Sequence, residues 1–118
     1  MNIKYIHEPD DLQCGQAVLA MLTGIDVTKI AEECGTVCET KLADMKRVLN
    51  NHGFMMVGER KLANKLTDLP KIALLSLETP RCWHWSLYVE GTVYDPEHGV
   101  LSDFPVCNRK YFWELELN

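Results

Sequence analysis

The chain has 118 residues, of which 47% are hydrophobic and 25% charged, and its formal net charge is −5. This length and composition predict one globular domain, residues 1–118, with a hydrophobic core of its own. The negative charge argues against a nucleic-acid partner, because a phosphate-binding surface needs clustered lysine and arginine. The N-terminus has no long apolar run and no small-residue cleavage site, so we expect neither a signal peptide nor a membrane-spanning helix.

The first half of the chain reads as helical. A short strand over residues 3–6 is expected to lead into a helix over 12–23, which Gly24 ends. A second helix is predicted over 27–34, capped by Asp26 and ended by Gly35, and a third over 40–51.

The second half reads as a sheet. Strands are predicted over residues 54–57, 71–77, 83–90, 92–95 and 111–117, with a loop or short helix over 62–69. Gly91 is expected to supply the turn between the third and fourth of these strands, and a two-residue turn would consist of Glu90 and Gly91. Helices followed by an antiparallel sheet indicate the α+β class.

Cys14 is the candidate nucleophile. It lies on the apolar stripe of the first helix but in its first turn, after Asp10 and Asp11, which are able to cap that helix. Unsatisfied amide groups and the positive end of the helix dipole favour the thiolate there. Gly15 would leave room for a substrate backbone beside the sulfur. The alternative is a small buried hydrophobic residue, as most free cysteines are.

His84 is the candidate base. Trp85 and Leu87 belong to the better core face of their strand, which turns His84 toward a cleft. A two-residue turn at 90–91 pairs Ser86 with Asp95, so His84 and Asp95 become diagonal neighbours on one face of the hairpin. Asp95 could then fix the tautomer of the imidazole. The alternative is that Asp95 only starts a turn with the proline after it.

A thiol, an imidazole and a carboxylate in this relation follow the logic of cysteine hydrolases, and their order along the chain is that of papain-like enzymes. Residues 11–24, with 84–89 and 93–96, resemble the nucleophile helix, the histidine strand and the Asp-Pro turn of the double-glycine-leader (bacteriocin-processing) cysteine peptidases and their small stand-alone relatives. The resemblance implies a papain-like α+β fold, with Cys14 as nucleophile, His84 as general base and then acid, and Asp95 as the group that orients it. It also implies a peptide or protein substrate, a thioacyl-enzyme and no cofactor.

The oxyanion position departs from this family's pattern. The Cys14 N–H and a glutamine six residues before the cysteine normally hold the oxyanion, and Glu8 stands at that place. Either Glu8 is protonated, another donor such as Gln13 replaces it, or catalysis is weakened, since losing one donor typically costs about 10²–10³ in rate. Two alternatives therefore stay open: a related thiol acyl-transfer enzyme (deamidase or transglutaminase-like), and a weakened peptide-binding module.

The remaining cysteines suggest one further alternative. The chain has five cysteines, an odd number at irregular spacing, which indicates reduced thiols in the cytoplasm rather than a disulfide framework. Cys34 and Cys38 are close enough for a metal or redox site, but no second Cys/His pair completes a zinc site. We expect no metal, no nucleic-acid partner and no membrane contact, and the sequence does not indicate an oligomeric state.

Overall fold

Three helices precede a six-stranded sheet in the structure, a computed structural model that describes residues 1–118. The helices are α1 (Cys14–Thr23), α2 (Val27–Cys34) and α3 (Leu42–Asn51). The strands are β1 (Phe54–Ala63), β2 (Ile72–Glu78), β3 (Trp83–Val89), β4 (Thr92–Asp95), β5 (Gly99–Leu101) and β6 (Lys110–Leu117). Their order in the sheet is β1-β6-β2-β3-β4-β5, and every neighbouring pair is antiparallel. The predicted α+β class is confirmed.

The helices pack on one face of this sheet. All residues of α1 except its last are buried, because the helix lies between α2 and β3. Its apolar side chains share one core cluster with Leu74, Leu87 and Trp113 of the sheet. Gly24 ends α1 at a φ of 74°, a left-handed conformation that glycine adopts without steric cost.

A second apolar cluster lies on the opposite face of the sheet. It includes Leu75, Tyr88 and Phe112, and side chains such as Leu69 and Phe104, from the connecting segments, cover it. Ser86 is also fully buried on this face. This face of β3 is therefore covered at Ser86 and Tyr88, and it borders a pocket at the start of the strand, where His84 lies.

The hairpin between β3 and β4 has the predicted turn. Glu90 and Gly91 both have positive φ, 46° and 96°, which is the backbone of a type I′ turn that matches strand twist. Leu87 pairs with Tyr94, and Val89 pairs with the first residue of β4. One step further along this register, Ser86 lies opposite Asp95, as the sequence predicted.

Three other predictions differ from the structure. Residues 3–6 form no strand. They are fixed by side-chain packing and by the Tyr5 hydroxyl, which donates to the Asp95 carbonyl at 2.6 Å. β1 extends to Ala63 because a shift in register between Val57 and Lys61 lets its pairing with β6 resume. β5 was not predicted, since three residues carry too short a pattern.

None of the three helices alone has the length and apolar composition needed to cross a membrane. Only α1 and α2 taken together pass on length and composition, and they are bent by 115° at their junction. Most of α1 is buried within the protein, as expected of a core helix.

Candidate active site

Cys14 is the first residue of α1, and its side chain lies against β3. The sulfur accepts a hydrogen bond from the backbone N–H of Trp85 at 3.4 Å, and the residue is 9% exposed. The predicted acidic cap is wrong, because Asp10 accepts from the N–H of Leu12 and Asp11 pairs with a distant arginine. Gln13 is the N-cap residue, without a side-chain capping bond. The thiol therefore lies in the first turn of the helix, as predicted, but without the predicted acidic cap.

Gly15 serves packing rather than access. A Cβ atom at this position would lie 2.0 Å from the Thr40 hydroxyl oxygen and 3.1 Å from both Met45 and Trp85. The space beside the helix is thus filled by the protein itself. The prediction that Gly15 leaves room for a substrate is wrong at this contact.

His84 lies at the start of β3 and is 4% exposed. Its Nε2–H donates to Asp95 Oδ1 at 2.9 Å, so Nδ1 is the nitrogen left to face another group. Burial disfavours the charged ring, but hydrogen bonding to Asp95 and Cys14, and the charges of those two groups, raise the pKa of His84 well above its ordinary value. The ring and the Cys14 thiol line the same pocket, of about 170 Å³.

Asp95 is fully buried, yet its carboxylate is surrounded by donors. Oδ2 accepts from the Ser86 hydroxyl, and Oδ1 accepts from the His84 ring, the Glu97 and His98 backbone N–H groups and the His98 ring, all at 2.9–3.0 Å. Burial alone would favour the neutral acid. The hydrogen bonds and the neighbouring imidazoles outweigh it and lower the pKa of Asp95 to about 2.

These hydrogen bonds agree with both interpretations of Asp95, as the partner of His84 and as the start of a turn. Because its carboxylate accepts from the backbone two and three residues ahead, it does start a turn; it also holds the His84 ring. His98 is the contributor that the sequence analysis missed. An Asp-Pro turn brings the residue three positions later back toward the carboxylate, and this spacing was a usable signal.

Glu8 and Gln13, the two candidates for the oxyanion position, point in different directions. Glu8 lines a pocket of about 230 Å³ that also includes His84. Gln13 lines another pocket, with Pro9, Ala31 and other residues, and does not line either pocket that contains His84. The structure therefore brings Glu8 close to the imidazole and leaves the Gln13 side chain apart from it.

This chain matches known proteins by its structure and not by its sequence. No family model and no curated protein matches the sequence. A solved structure described as a double glycine motif protease from an AMS/PCAT transporter, in complex with the leader peptide, is similar with a TM-score of 0.62 and 17% identity. The match covers 95% of this chain and 91% of the other. The fold is papain-like. At this identity the similarity describes the backbone, and the roles of side chains have to be argued from their geometry.

Within this papain-like fold, a buried glutamine holds the segment that closes one side of the Cys14 pocket. Gln16 is fully buried, and its amide donates to the carbonyl oxygens of Thr36 and Cys38 at 3.0 and 2.8 Å. The next residues, Glu39 and Thr40, line the pocket together with the side chains of Ser76, Trp83 and Trp85. An internal position of α1 thus determines where the wall of the pocket runs.

The remaining cysteines form no cluster with histidines. All five cysteines are free thiols. Cys34 is buried, and burial together with the charge of Asp44 raises its pKa to about 11, which disfavours the thiolate that redox and metal chemistry need. Cys38 is exposed. The group with metal-like spacing is instead His84, Asp95 and His98, where one carboxylate oxygen already accepts from both rings.

Proposed function

We propose that this chain is a cysteine peptidase that cleaves a peptide or protein substrate through a thioacyl-enzyme. The observation that carries the proposal is that the His84 ring interacts with two different groups, Asp95 and Cys14. Nε2 is committed to a buried, ionised Asp95, while the Cys14 thiol interacts with the ring in a shared pocket. A raised imidazole pKa favours transfer of the thiol proton to the ring, which produces the nucleophile.

The proposed chemistry has two steps. The Cys14 thiolate attacks the carbonyl carbon, and the C–N bond breaks as protonated His84 gives its proton to the leaving amine. Water then attacks the thioester, His84 takes a proton from it, and the C–S bond breaks to release the acid. Asp95 keeps the ring in one tautomer and stabilises its charged form.

The backbone amide of Cys14 is the proposed main donor to the oxyanion. It belongs to the first turn of α1, where amide groups have no partner inside the helix. The family resemblance puts Glu8 at the second oxyanion position, where its carboxyl group could donate only when protonated, a state that a cation bound beside it would disfavour. This departure favours one second candidate, a peptide-binding module with weakened catalysis. Deamidase and transglutaminase-like reactions use the same thioester and differ in the group that accepts the acyl chain.

The substrate proposal uses the small size of the Cys14 pocket. A volume of about 170 Å³ accommodates a short extended segment with small side chains better than a bulky ligand, since sites for drug-sized molecules usually exceed about 300 Å³. The similar solved structure holds a leader peptide, which supports a peptide substrate here. Free thiols are consistent with our placing the chain in the reducing cytoplasm.

Alkylation with iodoacetamide tests the nucleophile. We expect Cys14 to react faster than the exposed Cys38 and Cys82, because the neighbouring imidazole can accept the thiol proton. Mass spectrometry of digested protein gives the rate at each cysteine. His84→Ala is the matched control and should remove the advantage. If Cys14 reacts no faster than the exposed thiols at any pH, the proposed function is wrong.

A further inference from the structure

A second pocket lies beside His84, and it is strongly acidic. It has a volume of about 230 Å³ and does not include Cys14. Its wall carries four carboxyl groups and one guanidinium group, besides His84, Leu12 and Cys82; these charged residues are Glu8, Asp11, Glu39, Glu97 and Arg81.

The deepest of these carboxyl groups has no partner. Glu8 is 6% exposed, and its Oε1 atom is buried without a hydrogen bond. Its backbone N–H donates to the Pro96 carbonyl at 2.9 Å, which fixes the residue in place. Burial, followed by the neighbouring carboxylates of Glu97 and Asp11 against the opposing charge of His84, raises the pKa of Glu8. An isolated buried carboxylate is costly, so this group requires a proton or a cation.

The basic groups at this pocket pair with acceptors other than the Glu8 carboxyl group, and the His84 ring is bonded to Asp95. Arg81 donates to Glu97 at 2.6 Å and to Asp11 at 2.7 Å, and its side chain is 59% exposed at the rim. The His7 ring bonds to the Glu8 backbone carbonyl rather than to its carboxyl group. Glu39 is exposed and forms no ion pair. With every carboxyl group ionised, the pocket wall carries a net negative charge.

The position of the pocket identifies the part of a substrate that would enter it. In the proposed reaction the acyl group becomes bonded to Cys14 and therefore occupies the pocket that contains the sulfur. The leaving amine receives its proton from His84, which, together with Glu39, belongs to both pockets. A pocket with the imidazole and without the sulfur thus faces the leaving-group side of the bond.

We propose that this acidic pocket binds a basic side chain, lysine or arginine, on the leaving-group side of the bond that Cys14 attacks. The inference rests on the proposed function for its direction along the substrate. The aliphatic stem of the basic residue would lie against Leu12, and its cationic head would supply the hydrogen bonds that Glu8 lacks. The peptidase would then prefer substrates with a basic residue directly after the cleaved bond.

Binding without chemistry is the first test. The Cys14→Ala protein is titrated with lysinamide and with norleucinamide, which lacks only the terminal ammonium group, and binding is followed by NMR. We expect lysinamide to bind about tenfold to a hundredfold more tightly, since a hydrogen bond to a charged group has that value, and the difference to shrink as salt is added. Glu8→Gln should abolish the difference and Glu39→Gln should reduce it. Glu116→Gln, at an exposed site on β6, should leave it unchanged.

Acyl transfer is the second test. Wild-type protein is acetylated at Cys14 with p-nitrophenyl acetate, and either amide competes with water. The α-amine attacks the thioester carbonyl, the C–S bond breaks, and His84 accepts the proton. We expect transfer to lysinamide to exceed transfer to norleucinamide by a similar factor, and Glu8→Gln to equalise the two.

The outcomes separate the two proposals. Equal binding of the two amides, or a preference that survives in Glu8→Gln, would overturn the cation pocket while leaving the nucleophile untouched. Glu8-dependent binding of lysinamide by a protein whose Cys14 is never acetylated would support the pocket and contradict the peptidase. A preference in binding without a preference in acyl transfer would place the pocket off the leaving-group side and overturn the substrate assignment.

Discussion

Two buried carboxyl groups lie near the same imidazole, and they differ in hydrogen bonding and in pKa. Asp95 is 0% exposed and accepts five hydrogen bonds, whereas Glu8 is 6% exposed and its buried oxygen accepts none. Burial acts on both in the same direction, yet the pKa of Asp95 is lowered and that of Glu8 is raised. Local donors, rather than depth, therefore decide the direction in which each carboxyl pKa moves.

Asp95→Asn should give the largest effect of this comparison. The asparagine side chain keeps the shape of the aspartate but loses its charge. Its NH2 group must then point at one of the hydrogen-bond donors that surround the Asp95 carboxylate. We expect the free energy of unfolding, measured in urea, to fall by about 3 kcal/mol at neutral pH. Acylation of Cys14 should slow by about 10³–10⁴, because the imidazole loses its fixed tautomer.

The free energy of unfolding at acid pH gives a second test of this prediction. A lowered carboxyl pKa stabilises the folded protein above the ordinary carboxyl pKa, and this stabilisation is lost as the pH falls through the lowered value. The difference between wild type and Asp95→Asn should thus disappear toward pH 2. Asp103→Asn, at an exposed aspartate, is the matched control. Equal stability of Asp95→Asn and wild type at pH 7 would contradict the prediction.

Glu8→Gln should have the opposite sign. A raised carboxyl pKa leaves the folded protein stabilised only below that pKa, and the stability falls as the pH rises through it, because an unpaired carboxylate forms in a buried site. The amide does not titrate. We expect Glu8→Gln to melt a few degrees above wild type at pH 8, from a gain of about 1 kcal/mol, and to match it in acid. A gap that narrows as the pH rises would contradict this account.

His98→Ala should have the smallest effect. The His98 ring donates to Asp95 but is 41% exposed, so solvent weakens its contribution. We expect less than about 1 kcal/mol in unfolding free energy and less than tenfold in acylation. Ser86→Ala, which removes a fully buried donor to the other carboxylate oxygen, should cost more. The reverse order would mean that the turn, rather than the buried hydroxyl, holds Asp95.

The sequence was sufficient where local chemistry determines structure. Alternation along β3 and the Glu90–Gly91 turn fix the register that brings His84 beside Asp95, and both are short-range features. Helical periodicity likewise placed Cys14 at a helix terminus. These features underlie the prediction that Cys14, His84 and Asp95 form a triad.

The rest depended on contacts between distant segments. Nothing near Gly15 in the sequence indicates that Thr40 fills the space beside it. The N-terminal strand failed because residues 3–6 pack as single side chains and pair with no edge. The second apolar cluster was missed because alternation shows that a face is apolar or mixed, and does not show that a connecting segment covers it.

Trp85 connects Cys14, the candidate nucleophile, to the intrinsic fluorescence of the protein. Its main chain donates to the Cys14 sulfur, its indole N–H donates to the Thr40 carbonyl at 3.1 Å, and its ring centroid lies 5.7 Å from that of Trp113. A substituent on the sulfur must disturb the first of these contacts, and the chromophore is held by the other two. The fluorescence of the unlabelled protein should thus report the formation and breakdown of a covalent adduct in real time.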